Sequence, residues 1–560
     1  MLKQIQTIKS ILKIGEINLK EGIKISLVSF FLSTIELFSI GFMALVVTKI
    51  FYNELNNVEL SIFQLSMSVS SLTLIMLLFL SYFSKFFISY FLNKTIFKVT
   101  NEKQHNLRLK FFKLFSNLNF IKFQEKSSTT YIAILGNHIK TFGGALSLTF
   151  IFFGEIFMLL MILTLLLYVN FKITIILVAT FLIFFFIYSK VKFLNPKQAG
   201  FENKEAYKGL YDFIINFFNS FKEIKIYNKY ETINSNLRIY SDKVFTSDLK
   251  NNLISILPRL FLELIIVAFF SILLFSTIKY NLSIFNNLEY FSILFASVIR
   301  LMPFFIQVLR FQNTLRYSET FVDEINEYII FLNNNQFKAT NHAFSIDDDI
   351  KKITFRNINF SYDKKKILEN CKLDLHINDF TLISGESGSG KSTLLNIICN
   401  FIKPSSSEIL INDKLIDKSL TIENLFAYVP QDKFVFEGEI WKNISLEYEE
   451  SNCNFEKIDE VLKLARLQID KNYILFPNGQ NLSGGQKQRL VIARALYFSK
   501  KFVIFDESTN ELDDENEKKI LQDIRKINNI GVLIVSHKNS IISLCDKKYK
   551  LIDKKLKLLE

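Results

Sequence analysis

The chain has 560 residues, 49% of them hydrophobic and 60 of them Phe, with a formal charge of +13. Such a length is a prior for two to four domains, and the first 310 residues carry nearly all the long apolar runs while the last 220 look like an ordinary soluble domain. The basic residues lie in loops beside apolar segments, which fits an anionic membrane surface and argues against nucleic acid as a partner.

The first residues, MLKQIQTIKSILKIGEINLK, have no compact apolar core behind their lysines. They read as a basic amphipathic helix in the membrane interface and not as a cleaved signal. A helix needs about 20 apolar residues to cross the hydrocarbon core. Six stretches qualify, roughly Ile23–Phe51, Ile62–Leu92, Phe142–Val169, Ile173–Val191, Leu253–Ile278 and Ile284–Phe311.

Lysine and arginine set the orientation. The stretch Lys94–Lys140 is rich in Lys, while the facing link YNELNNVEL has Glu54 and Glu59 and no cation. The loops Lys94–Lys140 and Lys192–Asn252 are therefore expected in the cytoplasm, as helices continuing the spans, with both termini on the same side. That is an all-α six-helix transmembrane domain over residues 1–325, then a linker over 326–345 and an α/β domain over 346–560. Cys371, Cys399, Cys453 and Cys545 are scattered, without metal spacing, and read as reduced thiols.

In the second half a strand-like run, DFTLISG, leads into GESGSGKST. This is the P-loop pattern, here Gly385, Ser387, Gly388, Ser389, Gly390, Lys391, Ser392 and Thr393. Glycines let backbone N–H groups curl around phosphates, Lys391 reaches the β- and γ-phosphates, and the Ser392 hydroxyl suits Mg²⁺. The next helix aims its positive end at the same phosphates. Downstream, Phe502–Phe505 forms a buried strand ending in Asp506 and Glu507. Asp506 is placed to hold Mg²⁺ and Glu507 to polarise the attacking water.

Between these lies LSGGQ, with Ser483, Gly484, Gly485 and Gln486. It resembles the signature of ABC transporter ATPases. The resemblance implies that Tyr362 stacks on adenine, Gln431 touches Mg²⁺, NELD (Asn510 to Asp513) is the D-loop and His537 contacts the γ-phosphate. With six preceding spans the chain resembles a type IV exporter half-transporter, which implies ATP and Mg²⁺ as cofactors. It also implies a domain-swapped dimer whose ATP lies between the P-loop of one chain and LSGGQ of the other. A homodimer is the simplest solution, with a heterodimer open. Two departures stand out. The T-x-V-G-E-x-G stretch usual before the signature is absent, and Asn510-Glu511 replaces the usual Ser-Ala of the D-loop.

Lys85, Arg259 and Arg300 fall within or at the ends of spans, where charge is costly and faces the bundle interior. Arginine forks suit phosphate. Pairing is the competing reading: Arg259 and Glu263 share a helix face, and Glu36, Glu155 and Glu289 are further anions in or near the spans. LPRLFLELI and RLMP resemble segments of bacterial flippases for lipid-linked oligosaccharides, which implies a basic wall for a polyprenyl pyrophosphate. Such flippases carry an external helix between spans one and two, for which a link of about ten residues leaves no room. The function expected is ATP-driven export or flipping of an amphipathic anionic substrate across the cytoplasmic membrane, foremost a polyprenyl-pyrophosphate-linked oligosaccharide. The alternative is export of another lipid or a peptide.

Overall fold

A computed structural model describes residues 2–51, 58–62, 65–69, 71–169, 171–190, 195–280, 288–336, 350–362, 365–416, 422, 425–507 and 513–559. Contacts divide the chain into two units. One is Met1–Leu118 with Phe123–Gln336, and the other is Asn119–Lys122 with Phe337–Glu560.

The first unit runs α1 (Leu2–Ile14), α2 (Leu19–Phe51), β1 (Val58–Ile62), β2 (Leu65–Val69), α3 (Ser71–Ser116), α4 (Ile139–Val169), α5 (Phe171–Lys190), α6 (Pro196–Asn219), α7 (Tyr230–Tyr280) and α8 (Leu288–Asn334). Helices α3 and α7 have 46 and 51 residues. At about 1.5 Å per residue each is more than twice as long as the ~30 Å hydrocarbon core is thick. The sequence changes along them accordingly: α3 begins SLTLIMLLFLSYFS and then becomes charged in NEKQHNLRLK. Among the described residues, Leu19–Met43, Leu72–Ser116, Ser128–Tyr168 and Tyr230–Ile272 are long and apolar enough to cross a membrane. The fourth and sixth expected spans fall on α5 and α8.

Apolar side chains stay exposed along α3, Phe79, Leu80 and Phe86 among them. A soluble monomer rarely shows so continuous an apolar face, and lipid explains it. Inside the bundle, Phe152 stacks on Phe311 at 4.2 Å between centroids and Phe181 on Phe305 at 3.8 Å. The apolar stripe of α1 is taken up by this bundle. Ile11 is fully buried, and Lys3 Nζ lies 2.9 Å from a carboxylate oxygen of Glu319.

Two expectations change. The link after α2 is not about ten residues long, and span two does not begin at Ile62. Strands β1 and β2 pair antiparallel, Val58 opposite Val69 and Ile62 opposite Leu65, and the helix starts at Ser71. The alternation VELSI and LSMSV has the period of a strand, and it reads as one long apolar run only when averaged. In addition, α8 continues to Asn334, so residues 326–334, expected to open a linker, are helical.

The second unit holds β3 (Lys352–Tyr362), β4 (Lys365–His376), β5 (Phe380–Gly385), α9 (Lys391–Ile398), β6 (Ser406–Ile411), β7 (Lys414–Leu415), β8 (Phe426–Val429), α10 (Phe455–Leu464), α11 (Gly484–Phe498), β9 (Phe502–Asp506), α12 (Asp514–Arg525), β10 (Gly531–Val535), α13 (Asn539–Ile542), β11 (Lys547–Ile552) and β12 (Lys555–Leu559). The antiparallel sheet has the order β4-β3-β6-β7, and the larger sheet β12-β11-β5-β10-β9-β8. Strands β9 and β10 are buried at every residue, which is why they read as unbroken apolar runs. Residues 119–122 belong to this unit, with the Phe120 ring 5.1 Å from that of Phe401.

Candidate functional site

Strands β5, β10, β9 and β8 are neighbours and parallel, so their carboxyl ends form one edge. In open α/β sheets that edge is where ligands bind. Each strand delivers one piece: the glycine-rich turn after β5, His537 after β10, Asp506 and Glu507 at the end of β9, and Gln431 just after β8.

The turn depends on its glycines. Gly388 and Gly390 have φ of +77° and +110°, and a Cβ on Gly390 would lie 2.9 Å from Ile367 Cγ2. Gly390 caps α9, so the free N–H groups of that helix open onto the turn. Lys391 is buried, and its Nζ donates to the carbonyls of Gly385 at 2.8 Å and Glu386 at 3.0 Å. Ser389 Oγ is buried without a hydrogen-bond partner in the described residues. An orphaned hydroxyl in a ring of N–H donors fits a phosphate.

Three side chains converge on Glu507. Gln431 Nε2 donates to its Oε2 at 3.3 Å, while Lys391 Nζ and His537 Nε2 lie 3.8 and 3.7 Å from its Oε1. Glu507 has φ of +44°, a left-handed conformation that costs a non-glycine residue energy. Its N–H donates to Val535 O at 3.1 Å, which holds the end of β9 beside that of β10.

Asp506 is 8% exposed, and burial raises its carboxyl above the ordinary range. The Tyr428 hydroxyl donates to its Oδ2 at 2.6 Å and opposes that rise. Burial in turn pushes the Tyr428 hydroxyl far up, so it stays a donor. Sequence reading missed Tyr428; its place one residue before Val429 in a buried strand was the available signal.

Asp506 ends β9, Ser392 follows Lys391 in α9 with its side chain exposed, and Gln431 follows β8; each carries an oxygen of the hard kind that Mg²⁺ takes. No group of three or more His, Cys, Asp or Glu suited to a metal occurs among the described residues. That is compatible with Mg²⁺, which takes one or two carboxylates and completes its shell with phosphate and water.

Ser483 caps α11 in a reciprocal box. Its Oγ accepts from Gln486 N at 3.2 Å, and Gln486 Oε1 accepts from Ser483 N at 2.8 Å. Among the described residues no hydrogen bond or ion pair joins Ser483, Gly484, Gly485 or Gln486 to the glycine-rich turn of the same chain. Tyr362 ends β3, 44% exposed, edge-on to Phe360 at 4.8 Å. Of the expected D-loop, Asn510 to Asp513, residues 510–512 lie outside the described residues.

Residues 368–510 match the ABC transporter family. The second unit is thus an ABC ATPase domain, and the fold is a helical transmembrane domain followed by that domain. A bacterial Atm1-family ABC exporter solved with ATP bound is similar over 96% of this chain and 93% of its own, with a TM-score of 0.74 and 18% identity. A putative export ATP-binding/permease protein of Rickettsia conorii is 32% identical over 40% of this chain. An ATP-dependent lipid A-core flippase of Neisseria gonorrhoeae is 34% identical over 35% of this chain. These matches span 41% and 33% of the two relatives.

In the first unit, Lys85 Nζ lies 3.3 Å from Glu36 Oε1 and over the Tyr82 ring. Glu36 and Glu155 line a cavity of about 80 Å³ together with Ser29, Ser33, Ser89 and Asn93. Arg259 Nε donates to Glu263 Oε1 at 2.9 Å, with side chains 68% and 44% exposed in the single chain. Pro258 sits inside α7, which continues unbroken. Arg300 lies on α8, with its side chain outside what is described.

Proposed function

We propose that the chain is one half of an ATP-driven exporter that works as a homodimer in the cytoplasmic membrane, with both termini and the ATPase domain in the cytoplasm. The observation that carries this reading is the convergence of Lys391, Gln431 and His537 on Glu507, in a chain that also holds long apolar helices with exposed faces. Lys391, Ser389 and the N–H groups of the turn bind the phosphates of ATP. Ser392, Gln431 and Asp506 would hold Mg²⁺, which supplies charge neutralisation at the β- and γ-phosphates. Glu507 accepts a hydrogen bond from water and aligns it, while His537 donates toward the γ-phosphate. Tyr362 offers its exposed ring to adenine. Ser483 and Gln486, bonded to each other at the start of α11, complete the site of the second chain, which makes dimerisation a condition of turnover.

The substrate we propose is an amphipathic anion, foremost a polyprenyl-pyrophosphate-linked oligosaccharide. Arg259 supports this: it stays exposed beside Glu263, so its guanidinium has edges free for phosphate. Lys85 serves the wall less directly, since Glu36 already takes its charge. The Neisseria relative is named for lipid A-core and not for a polyprenyl glycan, so another lipid or a peptide is the alternative. Flipping of defined lipids by the purified protein in proteoliposomes is the test. Movement of a pyrophosphate lipid that needs ATP supports the reading, and peptide export without lipid movement overturns the substrate.

A further inference from the structure

Lys538 follows His537 and serves the opposite side of the chain. Its Nζ lies 2.9 Å from Glu517 Oε2 and 3.6 Å from Asp514 Oδ1, both on α12. His537 Nε2 instead faces Glu507. Lys538 is extended, with φ −79° and ψ 128°. In extended chain, successive side chains project to opposite sides, so anchoring one sets the direction of the other.

The anchor is deep and stiff. Glu517 is 1% exposed, and a carboxylate so buried keeps its charge only with partners beside it, of which the Lys538 ammonium is one. Helix α12 is capped by Asp513, whose side chain accepts from Asn516 N, and it buries Ile520, Leu521 and Ile524. The Lys538 backbone is held as well. Its N–H donates to Ser536 Oγ at 3.1 Å and its carbonyl accepts from Ile541 N at 3.2 Å. Among the described residues nothing comparable holds the His537 ring, which is 53% exposed.

We propose that Lys538 is a positioning residue for ATP hydrolysis: its ion pair with Glu517 ties the His537 turn to α12 and so sets the approach of His537 to the site of Glu507. This rests on the ATPase reading above. A side chain misplaced by about 1 Å costs around 100-fold in rate, whereas nucleotide binding by the turn after β5 does not pass through this pair.

The test uses the full-length protein in nanodiscs. Lys538→Met is expected to lower kcat about 10- to 100-fold with the KM for ATP nearly unchanged. Lys538→Arg keeps charge and reach and is expected to restore most of kcat. Lys538→Met combined with Glu517→Met removes the stranded charge, so it is expected to recover thermal stability without recovering kcat. A purely structural pair would recover both together, and that outcome overturns the proposal. If Lys538→Met alone fails to fold, the double variant carries the test. His537→Ala serves as the reference. Wild-type turnover in His537→Ala would sink the role of the histidine itself and the proposal with it. An inactive His537→Ala beside a fully active Lys538→Met would sink the positioning role alone.

Discussion

The Tyr428 hydroxyl donates to Asp506 Oδ2 at 2.6 Å, joining β8 to the last residue of β9. Burial holds the Asp506 carboxyl above its ordinary 3.8, and this hydrogen bond pulls it back down. Only the ionised carboxylate serves a metal. Activity is therefore lost as pH falls through the raised folded pKa, and removing the donor moves that loss to higher pH. Tyr428→Phe is expected to shift the acid limb of ATPase activity upward by about one to two pH units, since a hydrogen bond to a charged group is worth ~1.5–3 kcal/mol. The sign for stability is opposite. With the folded pKa above the unfolded one, the metal-free fold favours the protonated acid, so stability falls as pH rises through that window. An unchanged acid limb in a pH–rate profile of Tyr428→Phe would remove Asp506 from the titration.

Glu507 is the point where Lys391, Gln431 and His537 meet. Glu507→Gln preserves shape and loses the carboxylate. It is expected to bind ATP with affinity near wild type and to turn over at least ~100-fold more slowly. Gly390→Ala acts earlier, because φ of +110° and the Ile367 contact leave no room for a methyl group. That change is expected to abolish nucleotide binding. Nucleotide titration and steady-state phosphate release separate the two variants.

Much of this site was legible because its chemistry is local in sequence. GESGSGKST needs only nine consecutive residues to build a turn, and FVIFDE needs six to build a buried strand with its acids at the end. The long apolar helices, four of them long and apolar enough to cross a membrane among the described residues, were legible from composition, since a bilayer demands a length that few soluble helices reach. What stayed hidden depends on contacts between distant residues. Lys85 and Glu36 sit on α3 and α2, and Lys538 and Glu517 are separated by β10, so no spacing rule joins either pair. The hairpin of β1 and β2 was hidden differently: averaging hydropathy over a long window erased its period of two.

The signature residues predict shared sites. In one chain Ser483 and Gln486 satisfy each other, and among the described residues no hydrogen bond or ion pair joins them to the turn after β5. A dimer of one Lys391→Ala chain and one Ser483→Arg chain has one site damaged twice and one intact. Mixing two inactive homodimers is expected to recover up to about a quarter of wild-type ATPase, because half the random dimers are mixed and each has one whole site. Crosslinked mixed dimers that hydrolyse no ATP would count against sites shared in this way, given that a single intact site turns over alone.

The membrane charges divide by burial. Lys85 and Glu36 have side chains 19% and 5% exposed. Lys85→Met takes the cation from a buried Glu36, and breaking a buried pair costs about 3–5 kcal/mol. That variant is expected to be depleted from the membrane fraction whatever the substrate. Arg259 and Glu263 are far more exposed, so Arg259→Gln leaves Glu263 with access to its surroundings and costs little stability. Arg259→Gln with Arg300→Gln is therefore expected to accumulate normally and keep its unstimulated ATPase. If Arg259 and Arg300 line the proposed path, flipping of a pyrophosphate lipid should fall tenfold or more, because the variant carries no guanidinium there to fork onto phosphate. Expression level, unstimulated ATPase and lipid flipping on the same preparations separate the two effects. A double variant that accumulates normally and flips the lipid at full rate would show that phosphate does not pass along Arg259.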